Sequence, residues 1–193
     1  MSQNVVNDAI ADLRIGNQRF RDGRAQGPRR GAEHRRAAAA GQAPKAAVLT
    51  CSDSRVSPEL LFDQGIGDLF VVRTAGHVVD RGALGSLEYA VEHLHVPVVL
   101  VLGHSGCGAV TAAVAGQHGA GGIDWILSAI RPAVWASGMV GGDVVDNAAR
   151  EHVRRTADVI VSQSALLHEA VDRRRVSVVG AYYDLTSGVV EFS

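Results

Sequence analysis

Apolar residues recur along this chain in two rhythms, and the way the rhythms alternate outlines a fold. Val6, Ile10, Leu13, Asn17 and Phe20 are spaced four, three, four and three apart. That spacing is one stripe of an amphipathic helix, which should end near Gly23. A stretch broken by Gly and Pro follows, then a short Ala-rich helix. Next come continuous apolar runs of strand length: AAVLT at 46–50, DLFVVR at 68–73, PVVLVLG at 97–103 and VSVVGAYY at 176–183, with an edge strand at Val189–Phe192 after the Ser187-Gly188 turn. Helical patterns at 58–62, 83–94, 107–116 and 123–135 lie between them, and one long helix with the stripe Val153, Ala157, Ile160, Ser164, Leu167, Val171 precedes the fourth run. Strands that are apolar throughout, instead of alternating, are covered on both faces. The expected fold is therefore α/β, with a mostly parallel sheet and an added edge strand, covered by helices; the strand order taken for it is 2-1-3-4. Residues 1–40 read as an N-terminal helical arm and residues 41–193 as one α/β domain.

Composition narrows the classes. With 193 residues, the chain can bury a full core without disulfides, so Cys51 and Cys107, its two cysteines, need another purpose. The most apolar stretch, Val96–Gly103, is far shorter than the ~18 residues of a membrane span. The opening MSQNVVNDAI lacks a charged segment followed by an apolar one, so a cytoplasmic location is expected, where free thiolates can serve as metal ligands. Net charge is −1, yet residues 1–40 hold eight arginines against Asp8, Asp12, Asp22 and Glu33. These arginines lie on a helical pattern or are diluted by Gly, Glu and Ala, with only Phe20 as an aromatic for base stacking. An arm that packs on a partner subunit is the better reading, and neither nucleic acid nor membrane is expected as a partner.

Two segments that leave strand ends carry the candidate chemistry: Cys51-Ser52-Asp53-Ser54-Arg55 and His104-Ser105-Gly106-Cys107-Gly108. Doubly wound sheets bind ligands where strand order reverses, which in a 2-1-3-4 sheet lies between the first and third strands. There Cys51, Asp53, His104 and Cys107 would meet as a set of two sulfurs, one nitrogen and one oxygen, suited to Zn²⁺ more than to Mg²⁺ or Ca²⁺. Cys107 would also open a helix, whose N-terminus favours thiolate. A phosphate-cradling loop at 103–108 is the weaker reading, because it lacks the Lys-Ser/Thr and the glycine spacing such loops use.

CSDSR at 51–55, VVRTAGH at 71–77, SLEYAV at 86–91 and GHSGCGA at 103–109 resemble, in order and spacing, the segments of β-class carbonic anhydrases. The resemblance runs from about Gln42 to Tyr183. It implies a zinc enzyme, one Zn²⁺ per chain, that interconverts CO₂ and bicarbonate by attack of zinc hydroxide on CO₂. It also implies an arm embracing a partner subunit in a homodimer, with a homotetramer left open. Cys51, His104 and Cys107 would bind zinc, with Asp53 either a fourth ligand or released to pair with Arg55. Gln42, Phe70, Tyr89 and the backbone N–H of Gly108 would line the substrate pocket. A subclass with a regulatory bicarbonate pocket carries tryptophan where this chain has Val48, so that switch is not expected although Arg73 is present. Hydrolysis of carbonyl sulfide or carbon disulfide on the same site is one rival. A non-catalytic, zinc-stabilised bicarbonate-binding protein is the other.

Overall fold

The computed structural model describes residues 3–138 and 141–193. Its centre is a five-stranded sheet of order β2-β1-β3-β4-β5, made of β1 (Ala46–Cys51), β2 (Leu69–Thr74), β3 (Val98–His104), β4 (Ser177–Tyr183) and β5 (Val190–Phe192). The first four strands are parallel, and β5 closes one edge antiparallel to β4. Every residue of β1 and β3 is buried, which is why both read as uninterrupted apolar runs. The one hydroxyl among them, Thr50, donates to Leu102 O at 2.9 Å.

Successive side chains of a strand point to opposite faces, so the sheet divides its apolar residues into two layers. Val48, Val98, Leu100 and Leu102 face α1 (Gln3–Arg21) and α3 (Pro58–Leu61). Ala47, Leu49, Val99 and Val101 face α4 (Arg81–Glu92), α7 (Val144–Gln163) and α8 (Ala165–Asp172). A third cluster of α5 (Gly108–Val114), α6 (Gly122–Ser137) and the start of α7 sits against the C-terminal ends of the strands.

Two features differ from the expectation. The stripe of α1 is spent on the chain's own sheet: Val6 and Leu13 are buried there, and Ile10 and Phe20 pack against them. Asn17, the polar member of the stripe, donates to Leu61 O and Gly188 O and accepts from Val190 N, which satisfies its buried amide. The buried carboxylate of Asp63 ties the arm down by accepting from Arg19 Nε and the backbone N–H groups of Gln26 and Gly27. By contrast α2 (Ala32–Ala38) buries none of its residues. The second difference is that the long helix of the 153–171 stripe is two helices. Ser164 stands between them in extended geometry, φ −120° and ψ 111°, and its hydroxyl accepts from Leu167 N at 3.1 Å while donating to Glu88 at 2.6 Å. The apolar period survives the break because a serine cap restarts the helix without shifting its buried face. No described helix is long and apolar enough to cross a membrane.

Candidate metal centre

β1 and β3 pair with Thr50 beside Leu102, so Cys51 and His104 leave the sheet together at its C-terminal edge. Cys107 returns to the same spot because the chain turns at Gly106, whose φ of 60° is the left-handed conformation that glycine adopts freely. Cys107 then caps α5 from an extended backbone, φ −67° and ψ 118°. The Cys51 and Cys107 sulfurs lie 4.0 Å apart, and all ligand atoms of Cys51, His104 and Cys107 fall within 4.8 Å of one another, each residue buried.

The donor set fits zinc. Two sulfurs bound tetrahedrally at about 2.3 Å would stand about 3.8 Å apart, close to the observed 4.0 Å and far from a disulfide. The imidazole of His104 is fully buried, and its Nδ1 lies 2.9 Å from Ser105 O. A carbonyl only accepts, so Nδ1 carries the proton and the lone pair of Nε2 is left for a ligand. That Nε2 is buried with no hydrogen-bond partner, an arrangement that costs free energy unless a cation takes the lone pair. Cys51 is drawn below the usual thiol range by the Cys107 S–H, against the raising effect of burial, with help from the N–H groups of Asp53 at 3.4 Å and Gly76 at 3.3 Å. Cys107 is pushed up by that same bond and by burial.

Asp53 stands at the rim, with Oδ2 4.0 Å from His104 Nε2, and its carboxylate is gripped by Arg55 through Nε at 2.9 Å and Nη2 at 2.6 Å. The guanidinium holds the Asp53 carboxyl well below the usual carboxylate range. Arg55 Nη2 also reaches Gly106 O at 3.2 Å, which links the two site loops. Arg73 fixes the turn from behind, donating to Cys51 O through Nε and Nη2 and to Asp53 O at 2.6 Å. Val48 is wholly buried in the sheet core.

Of the remaining candidates, Phe70, Tyr89 and Gln42 do not share this centre. Phe70 pairs with Ala47, four residues before Cys51, which places it about 13 Å down the strand at ~3.3 Å per residue. Tyr89 packs on Phe70 with ring centroids 6.3 Å apart and is half exposed. Gln42 is exposed in the loop before β1, at the opposite end of that strand from Cys51. Gly108 begins α5 beside Cys107, with open space where a Cβ would stand. Sequence reasoning missed His152, whose Nε2 lies 2.8 Å from Gly76 O behind the Cys51 sulfur. The only signal for it was one imidazole on the small-residue face of α7.

A doubly wound sheet with a Cys-His-Cys centre at its switch point and a carboxylate-arginine pair at the rim defines a zinc enzyme of the α/β class. The family model for carbonic anhydrase matches residues 46–190. Carbonic anhydrase 2 of Mycobacterium tuberculosis is 43% identical over 180 residues, spanning 91% of this chain and 87% of that one. Among solved structures, the β-carbonic anhydrase CcaA covers 95% of this chain and 94% of its own at 28% identity and a TM-score of 0.74. A structure from a report on two tetrameric β-carbonic anhydrases of Sordaria macrospora covers 81% of this chain and 84% of its own at 26% identity and 0.75. The chain belongs to the β-carbonic anhydrase family, zinc lyases that interconvert CO₂ and bicarbonate.

Proposed function

We propose that Cys51, His104 and Cys107 hold the zinc of this carbonic anhydrase, and that Asp53 and Arg55 govern access to its fourth position. The observation that carries the reading is the orphaned Nε2 of buried His104 facing two buried sulfurs. When bound, zinc supplies a Lewis acid that makes a nucleophile of water near neutral pH. The residues do the rest. Arg55 keeps the Asp53 carboxylate ionised and off the three-ligand cluster, by a two-pronged grip that an ammonium could not copy. Held there, Asp53 Oδ2 can accept a hydrogen bond from the attacking group, without taking its proton, and orient it toward the carbon of CO₂. The N–H of Gly108 is a donor to the product beside Cys107.

Gln42, Phe70 and Tyr89 complete the substrate pocket from a second copy of the chain. Supporting this is their distance from the centre within one chain, together with the exposure of Tyr89, the incomplete burial of edge strand β2, and the uncovered α2. The assembly we infer is a homodimer, and the tetrameric relatives make a homotetramer the next state to test. Residues 1–40 are then the arm and 41–193 the catalytic domain. A cytoplasmic location suits two free thiols in one site.

The test is stopped-flow CO₂ hydration beside carbonyl sulfide hydrolysis, on protein with quantified metal. About one zinc per chain and CO₂ hydration are expected, with zinc lost in Cys51→Ser and Cys107→Ser. Asp53→Asn should keep zinc and lose activity. Stoichiometric zinc in the double cysteine variant would overturn the ligand assignment.

A further inference from the structure

The turn after β2, Ala75–His77, is held in an uncommon conformation. Gly76 has φ 63° and His77, not a glycine, has φ 44°, so two successive residues are left-handed. Left-handed geometry at a non-glycine residue is strained and persists only when its surroundings enforce it. Here the enforcement is visible. Thr74 Oγ1 bridges the turn by donating to Val78 O at 2.7 Å, and His152 reaches from α7 to Gly76 O at 2.8 Å. A carbonyl can only accept, so Nε2 of His152 is the donor. Its ring is buried and packs against the ring of His77, centroids 4.4 Å apart and planes tilted by 37°.

The outcome of this bracing is the N–H of Gly76, 3.3 Å from the Cys51 sulfur. Glycine has no side chain to hold its conformer and visits both signs of φ with similar ease. The carbonyl that His152 anchors and the N–H on the sulfur belong to the successive peptides on either side of the Gly76 Cα, so without that anchor rotation about φ and ψ of Gly76 could carry the N–H off the sulfur. Hydrogen bonds to a ligating thiolate orient it and withdraw charge from it, and losing such an outer partner commonly costs ten- to a hundredfold in metal affinity. We propose that His152 is a positioning residue for the Cys51 thiolate, acting through the backbone of Gly76. The inference rests on the zinc reading of Cys51 given above.

The test compares zinc-loaded wild type with His152→Phe, which keeps the ring and its packing but not the donor, and with His152→Gln, whose Nε2 amide can restore it. Each is measured by competition with a chromophoric zinc chelator and, after cobalt substitution, by the thiolate-to-cobalt charge-transfer band. His152→Phe should release zinc about tenfold more readily and shift the band to lower energy, because a sulfur that loses an N–H donor is richer in electrons. His152→Gln should match wild type in both. Unfolding of the zinc-free proteins gives the readout of a merely structural role. Wild-type zinc retention and spectrum in His152→Phe, or equal losses in Phe and Gln variants, would overturn the proposal. Should the Phe variant not fold, the Gln variant decides: a wild-type band supports the proposal and a shifted band overturns it. A wild-type protein that bound no zinc would instead refute the ligand reading, before any of these comparisons is made.

Discussion

Arg55 meets both oxygens of the Asp53 carboxylate, Nε on Oδ1 at 2.9 Å and Nη2 on Oδ2 at 2.6 Å, while Oδ2 stays 4.0 Å from His104 Nε2. This is the geometry of a carboxylate drawn aside from the ligand cluster by a fork that matches it. Arg55→Ala would leave the carboxylate only the backbone N–H of residue 55, which donates to Oδ1 at 2.9 Å, to set against the centre. Activity should fall about tenfold at every pH while zinc content stays normal, and Arg55→Lys should recover part of it, since an ammonium lacks the second prong. Because Arg55 holds the Asp53 carboxyl so low, Asp53 is ionised throughout pH 6–9 and its own titration sets no limb there. Activity should nonetheless rise across that range, because the nucleophile that bound zinc would supply comes from water that must first lose a proton. A flat profile, or full activity in Arg55→Ala, would reduce Arg55 to a surface charge.

Acid should destabilise the fold through the buried histidine pair. Burial lowers His152 to about 4, and burial, with His152 and His104 nearby, lowers His77 well below its ordinary value. In the unfolded chain both titrate near 6.5, so below that pH the unfolded state binds protons that the folded state refuses. Stability is then complete above pH 6.5 and declines as pH falls toward the folded value. From pH 6.5 to pH 5 His152 alone accounts for about 2 kcal/mol, with His77 adding in the same direction. Urea unfolding at pH 7 and pH 5 measures it. His152→Gln should flatten the dependence, and unchanged dependence in that variant would show that other groups cause it.

The arm helix is a core element of its own chain. Leu13 is fully buried beneath α1 among residues of β1, β3 and α3. Leu13→Ala should therefore cost about 2–5 kcal/mol, read by chemical denaturation, as other buried leucines do. A loss under about 0.5 kcal/mol, within the usual surface range, would place the α1 stripe on something other than this sheet.

Ser164 joins α7 to α8 with one hydroxyl that accepts from Leu167 N and donates to Glu88. Removing the cap in Ser164→Ala should cost about 1 kcal/mol, and Ser164→Asp, which restores the cap but faces the Glu88 carboxylate, should not recover it. Thermal unfolding at fixed protein concentration distinguishes them. Recovery by aspartate would mean that the cap alone matters.

Local pattern was enough for the elements and for the chemistry at strand ends. The runs at 46–50 and 97–103 are almost wholly apolar because their strands are covered on both faces, and that rule implied a parallel sheet, while Cys51 and His104 at neighbouring ends followed only if the strand order was 2-1-3-4, which the structure shows. Other matters depended on contacts between residues far apart in sequence. The stripe of α1 states that it must bury a face but not which one, and the choice of its own sheet rests on Asp63, Leu61 and Gly188 converging on α1 or the loop that follows it. The break at Ser164 leaves the helical period intact, so only backbone geometry reveals it. Phe70 and Tyr89 lie close to each other but far from Cys51, which motif order along the chain could not express. His152 joins the centre across 76 residues, through a carbonyl that no side-chain pattern encodes. Sequence determined which groups this protein presents, because periodicity and strand ends are local. Tertiary structure decided which of them meet, because hydrogen bonds and packing depend on distance in space.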